Sequence, residues 1–244
     1  MQKISKSGAK TSAWDFFDVV YCISLVERAD RRETARKQFA AVGLLDRVEF
    51  VTVQKHPADN EQGIYESHMT CIEKSLAAGA RHILIFEDDI VFDGFRLEKL
   101  REGIAFLDKN DHCRLLFLGC LVTKSRRTGS PGILKIGYRS LAHAYALKRS
   151  LAAELVNEKW RRVPFDATLA ALQEDKFAIY PAFAFQSNAF SDNDNHKGLE
   201  MFRRLFGGLG FIQKMNERYH RHRTTIISIH LFLLTVLLWL IIWQ

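Results

Sequence analysis

The run His82-Ile83-Leu84-Ile85-Phe86-Glu87-Asp88-Asp89-Ile90-Val91-Phe92 limits what this chain can fold into more than any other stretch. Four consecutive apolar residues, Ile83 to Phe86, lead directly into three carboxylates. A short unbroken apolar run is the pattern of a strand buried on both faces, as in α/β sheets covered by helices. The acids fall where that strand would end, and in an open α/β sheet ligands bind beyond the carboxyl ends of the strands. If the strand continues past Phe86, Glu87 and Asp89 share one side and Asp88 faces the other, because side chains alternate along a strand. Three adjacent carboxylates repel one another unless a cation sits among them. A hard divalent cation, Mg2+ or Mn2+, suits oxygen ligands on a tight turn. The plain alternative is a solvated acidic turn that caps the following helix.

The flanking pattern supports an α/β class. Residues 18–25, 48–53, 114–119 and 177–181 read as buried strands. Residues 29–42, 63–78, 95–107, 150–160 and 164–172 read as helices, with Gly79 placed to end the second of them. This alternation predicts βαβ units and a mostly parallel central sheet. Residues 133–138 and 142–147 are expected in a smaller mixed sheet. The basic segment 123–132, with Gly129 and Pro131, reads as a mobile loop.

The last part of the chain is different in kind. Residues 224–243 carry no formal charge, include one histidine (His230), and place Trp239 and Trp243 near the end. Twenty residues at about 1.5 Å each span about 30 Å, enough for a hydrocarbon core. A core helix normally shows a polar face, so a transmembrane helix is the expected reading. Between 196 and 223 stand seven basic residues (Lys197, Arg203, Arg204, Lys214, Arg218, Arg221, Arg223) against Glu200 and Glu217, a net +5 of the chain's +7. Basic residues before a span keep that side cytoplasmic. Because the rest of the chain is close to neutral, a nucleic-acid-binding surface is not expected. The four cysteines show no zinc spacing and read as buried thiols of a reducing compartment. The expected division is a flexible segment 1–16, a domain 17–195, a basic amphipathic segment 196–223 interrupted at Gly207-Gly208, and a membrane helix 224–243. The first twenty residues lack the apolar core of an export signal.

Several motifs occur together in order. They are Leu25-Val26-Glu27-Arg28-Ala29-Asp30-Arg31-Arg32, Gly63-Ile64-Tyr65-Glu66-Ser67-His68, Phe86-Glu87-Asp88-Asp89, Ala142-His143-Ala144-Tyr145-Ala146-Leu147 and Pro164-Phe165-Asp166. In this order, over residues 17 to 192, they resemble glycosyltransferase family 25, the lipopolysaccharide-type enzymes with collagen-modifying relatives. Ser24 departs from the family's usual Asn, which implies a changed polar contact near the nucleotide. The C-terminal apolar segment is not a general family feature.

The resemblance implies a GT-A-type fold, a nucleotide-sugar donor, a divalent cation (Mn2+ or Mg2+) and transfer with inversion to a glycan or glycolipid acceptor. On that reading Asp89, with Glu87 or Asp88 assisting, holds the cation that bridges the donor's phosphates. Leu25, Arg28, Arg31, His68 and Asp88 line the donor site. The two arginines have an equally ready reading as a solvated first helical turn, and a lone histidine on a helix is often structural. Inversion needs a general base, with Asp166 first and Asp192 second; either can instead be a helix cap or a loop residue. Lys124 to Arg127 can close over the donor or remain a solvated loop. The expectation is thus a membrane-anchored transferase. The alternatives are a non-catalytic sugar-nucleotide-binding or glycan-binding relative and, with no further ligand cluster in support, a metal-dependent phosphohydrolase.

Overall fold

The structure, a computed structural model, describes residues 12–187 and 207–243. Asp192, the second candidate base, lies outside the described residues. The elements in order are β1 (Val19–Leu25), α1 (Ala29–Ala41), β2 (Val48–Val53), α2 (Asn60–Ala77), β3 (His82–Glu87), β4 (Ile90–Phe92) and α3 (Leu97–Lys109). There follow β5 (Leu115–Phe117), β6 (Leu121–Arg127), β7 (Ile133–Ser140), β8 (Ala144–Lys148), α4 (Arg149–Leu155), α5 (Phe165–Ala171), β9 (Lys176–Ile179), β10 (Ala184–Gln186) and α6 (Gly208–Ile242).

Period-two alternation builds both cores. Along β3, Ile83 and Ile85 face the cluster that holds Tyr65, Ile72, Tyr145 and Phe165. Leu84 and Phe86 face the opposite cluster, with Trp14, Phe39, Leu116 and Phe183. The strand is buried on both faces, as its unbroken apolar run required. Trp14 sits in a short 3-10 helix, Ala13–Phe16, and its indole donates to Val42 O at 2.9 Å. The packed core therefore begins ahead of residue 17, inside the segment expected to be flexible.

The sheet corrects the mostly parallel expectation. It has eight strands in the order β2-β1-β3-β8-β5-β9-β7-β6, with a separate β10-β4 ribbon. The β1-β2, β1-β3 and β5-β9 pairs are parallel. The β3-β8, β5-β8, β7-β9 and β6-β7 pairs are antiparallel. Strand β8 lies between β3 and β5 and runs against both, so the strands expected in a smaller sheet belong to the main one. Nothing local in Ala144–Lys148 encodes direction, because a strand buried on both faces looks alike in either sense.

The basic segment is not a loop. Leu121–Arg127 is the edge strand β6, paired with β7 from Leu121↔Ser140 to Arg127↔Leu134. Its alternation is hidden by bulges near Val122, which shift the register. The edge is protected by α6: Asn216 Nδ2 donates to Val122 O at 2.9 Å, and Val122 N donates to Asn216 Oδ1 at 2.9 Å. An amide that pairs with edge backbone in this way covers groups that would otherwise invite another strand.

Helix α6 is continuous through the expected boundary at 223. Gly207 precedes it with φ of 86°, a left-handed conformation that favours glycine. Its first turns pack on the domain, where Gln213 Nε2 donates to Ala184 O at 2.9 Å and Glu217 accepts from Ala182 N. Gly119 permits this approach, since a Cβ there would fall 1.8 Å from Ala184 O. Beyond, the helix is long and apolar enough to cross a membrane, and its apolar run is exposed.

Candidate functional site

The candidate site forms where β1 and β3 end side by side. They are parallel, with Cys22↔Phe86 and Ile23↔Glu87 in register. Ser24 and Glu87 to Asp89 therefore meet at the same carboxyl edge, where an open α/β sheet binds its ligands. Strand β3 ends at Glu87, and Asp88 and Asp89 form the turn that follows, so their directions are set by that turn: Glu87 meets His68 and Asp88 meets Arg31 of α1.

Asp88 is buried and held from two sides. Ser24 Oγ donates to its Oδ2 at 2.6 Å, and Arg31 Nη1 donates to its Oδ1 at 3.3 Å. Burial raises its pKa, while Ser24 and Arg31 pull the other way. Arg28 makes a two-point bond to Asp30, at 3.0 and 2.9 Å, which leaves it at the first turn of α1. Leu25 contributes its carbonyl, which accepts from Arg28 N at 3.0 Å and also from the Arg32 guanidinium. Arg32 also donates to Val26 O at 2.9 Å and so fixes the backbone that leaves β1. Its part was not legible in the sequence, where it is one of three arginines in a row of five residues.

Glu87 is bound on both oxygens. His68 Nε2 lies 3.3 Å from Oε1, and Gln186 Nε2 donates to Oε2 at 3.1 Å. His68 is itself enclosed: its ring stacks on Phe165 at 4.1 Å and 6°, and Nδ1 lies 2.8 Å from Tyr145 Oη. Burial pushes His68 down to about 3. Burial, with Asp166 and Asp88 nearby, pushes Glu87 up to about 7. The His68–Glu87 contact is therefore a hydrogen bond to a neutral imidazole rather than an ion pair. Gln186 comes from β10, which pairs with β4, and Ser187 N donates to Asp89 O at 2.7 Å. No short-range signal tied that glutamine to the acidic turn.

Asp89 differs from its neighbours. Its Oδ1 is buried and has no hydrogen-bond partner. Burial and the adjacent Glu87 hold its pKa well above the usual carboxylate range. A buried carboxylate oxygen left unbonded is costly to the fold and asks for a ligand. Among the described residues, no three His, Cys, Asp or Glu side chains converge as a metal-binding group. A Mg2+-like ion is commonly held by one or two carboxylates plus substrate phosphates rather than by an all-protein cage. Asp89 fits that role, while both oxygens of Glu87 and of Asp88 already have protein partners.

Asp166 lies across the same face. Its carboxylate accepts from Tyr138 Oη, from Leu141 N at 3.0 Å and from Ala142 N at 2.9 Å. It thus fixes the segment joining β7 to β8, whose His143 O accepts from Glu87 N at 2.9 Å. The geometry joins Asp166 to the acidic turn through the backbone. Lys124, Arg126 and Arg127 lie on β6 and are held by pairing with β7, so closure of a loop over the site does not apply.

No family model matches the chain. It is similar to the human protein "Inactive glycosyltransferase 25 family member 3", with 28% identity over 187 residues that cover 63% of this chain. The chain spans 31% of that relative's length. Among solved structures, a mannosyltransferase from Pyrobaculum calidifontis, in complex with GDP-Man and Mn2+, overlaps 79% of this chain and 67% of its own at 14% identity and TM-score 0.41. A mannose-1-phosphate geranyltransferase from Thermus thermophilus overlaps 66% of this chain and 72% of its own, at 10% identity and TM-score 0.42. These structural overlaps are partial and carry no argument. The sequence likeness relates the chain to a glycosyltransferase 25 family protein, and its fold is a mixed α/β sheet with one candidate membrane-spanning helix.

Proposed function

We propose that this chain is a membrane-anchored, GT-A-like module that binds a nucleotide-sugar at the carboxyl edge of β1 and β3. The observation that carries the reading is the Ser24–Asp88–Arg31 arrangement beside the unbonded Asp89 Oδ1. Asp88 is a fixed acceptor for a sugar or ribose hydroxyl, and Arg28 and Arg31 bring positive charge to a diphosphate. A divalent cation would be held by Asp89 and the donor's own phosphates, and would neutralise their charge. Leu25 and His68 take positioning roles: the one offers the backbone at the strand end, the other orients Glu87.

The binding reading takes precedence over transfer for a physical reason. Asp166 spends its carboxylate on three hydrogen bonds within the fold. A base must instead accept a proton from the acceptor hydroxyl. The human relative bears the name of an inactive member, which agrees with a domain that keeps the binding fold without turnover. Metal-assisted transfer to a lipid-linked or envelope glycan is the second reading, and Asp89 favours it. There Asp166 and Asp192 remain the proposed bases. In either reading the domain is proposed to lie on the cytoplasmic side, and the basic residues before the span support that orientation.

The test is titration of the full chain in detergent with UDP-, GDP- and CMP-sugars, with and without Mn2+, while released nucleotide is followed by mass spectrometry. Saturable binding without release supports the binding module. Release or transfer that needs Mn2+ moves the assignment to the transferase. No binding of any donor sinks both.

A further inference from the structure

The fold brings two basic segments together that lie about ninety residues apart in sequence. Ser125 Oγ on β6 donates to His220 O on α6 at 3.1 Å, and Val122 exchanges two bonds with Asn216. These contacts fix the direction of travel: from Val122 to Ser125 the strand advances as the helix advances from Asn216 to His220. A strand residue rises about 3.3 Å and a helical residue about 1.5 Å. Arg126 and Arg127 therefore draw level with the stretch from His222 to Thr224. That is where the charged part of α6 gives way to its apolar run.

Around this level the exposed charge is nearly all of one sign. Lys124, Arg126 and Arg127 are exposed on β6, and Arg218, His222 and Arg223 are exposed on α6. No ion pair engages Lys124, Arg126, Arg127, Arg218 or Arg223 among the described residues. The acids nearby are already used: Asp175 pairs with Lys135 at 2.6 Å, Glu102 accepts from Gly132 N at 2.7 Å, and Glu217 accepts from Ala182 N. Arg221 is also committed, lying 4.6 Å from the Tyr180 ring centroid. An edge strand that ends in three cations with no ion pair among the described residues, beside a membrane-length helix, has the charge to meet an anionic surface.

We infer that the β6-β7 hairpin is a second membrane contact: Lys124, Arg126 and Arg127 rest on an anionic lipid headgroup layer around the exit of α6. Each cation near such a surface is attracted to it, and the attraction fades within a Debye length, about 8–10 Å. A helix alone would let the domain swivel about its axis. The hairpin removes that freedom and fixes which side of the domain faces the bilayer. The candidate site is then held off the surface, because Gly210, beside Gln186 O at 3.7 Å from the position of a Cβ, precedes Arg223 by about 20 Å of helix. This inference rests on the proposal that α6 spans the membrane.

The test uses the full chain in nanodiscs. All four native cysteines are buried, so a cysteine introduced by Ser130→Cys at the hairpin turn takes a spin label selectively. Its paramagnetic accessibility is read against a headgroup-attached relaxation agent, in phosphatidylcholine alone and with about 30% phosphatidylserine. The expected result is closer approach with phosphatidylserine. That approach is lost in about 0.5 M NaCl and in the triple variant Lys124→Glu, Arg126→Glu, Arg127→Glu, whose melting curve is checked against the parent. A label indifferent to lipid charge, or to the triple charge reversal, overturns the hairpin contact. Carbonate extraction of the chain from vesicles separates the two readings: a chain that resists extraction but fails the label test leaves the anchor standing. A chain that washes off removes anchor and hairpin together.

Discussion

Ser24 Oγ donates to Asp88 Oδ2 at 2.6 Å, which joins the ends of two parallel strands across 64 residues of sequence. A short hydroxyl here reaches a carboxylate that Arg31 holds from the other side. The position the resemblance marks as unusual is thus a direct partner of the central acid. Removing the hydroxyl leaves a buried carboxylate short of one charge-assisted bond, which costs about 1–3 kcal/mol. Ser24→Ala is expected to lower stability by that amount and to weaken nucleotide binding. An unchanged melting curve with unchanged affinity would remove Ser24 from the site.

Asp89 is a conflict between folding and ligand. Its carboxylate is buried beside Glu87, and Oδ1 has no partner. Asp89→Asn should therefore raise stability, while it abolishes any Mn2+ dependence of nucleotide binding. The paired readout is a thermal melt and a donor titration with and without the ion. A variant that is destabilised and still binds in a Mn2+-dependent way contradicts the role given to Asp89.

Asp166 gives a different pattern. In Asp166→Asn the amide cannot accept from all three of Tyr138 Oη, Leu141 N and Ala142 N, and an unsatisfied buried donor costs about 1–3 kcal/mol. The expected outcome is a lower melting temperature, with nucleotide affinity retained below the melt. A general base would behave otherwise, with kcat reduced by about 10²–10⁴ and stability unchanged. Finding that second pattern would make the chain a transferase with Asp166 as base.

Glu217 provides the pH dependence. Burial raises its pKa from 4.5 to about 7. A carboxyl that keeps its proton longer when folded contributes most below its unfolded value, so stability falls as pH rises from about 4.5 to about 7. Glu217→Gln retains an acceptor for Ala182 N and removes the titration. The gap in stability between variant and parent should widen in favour of the variant across that window, by at most about 3 kcal/mol. Taking the difference cancels the other titrating groups, including His68, whose lowered pKa acts in the opposite sense. A constant gap from pH 4 to 8 would place Glu217 in water rather than against the sheet.

The two parts of α6 should separate on truncation. A chain ending at Arg223 keeps Gln213, Asn216, Glu217 and His220 on the domain and loses the apolar run. It is expected to fold and to leave the membrane fraction. A chain ending at residue 206 uncovers β6 and should aggregate through that edge. If the chain ending at Arg223 stays with membranes at high salt, the anchor lies elsewhere.

The sequence by itself determined the features that repeat at short range. The apolar run at Ile83 to Phe86 marked a strand buried on both faces that ends at the acids. An uncharged span of membrane length marked the end of α6. Helix α2 was legible only from Gly63 onward, although Asp59 three residues before Gln62 has the spacing of a cap, and its Oδ1 accepts from Glu61 N and Gln62 N. Only the tertiary structure decided that β8 runs antiparallel between β3 and β5, that the basic segment is an edge strand rather than a loop, and that Asp166 serves Tyr138, Leu141 and Ala142. It alone brought Gln186 to Glu87 and His220 to Ser125. The reason is that strand direction, edge position and side-chain partners are set by contacts between distant residues, and local periodicity carries no record of which partner arrives.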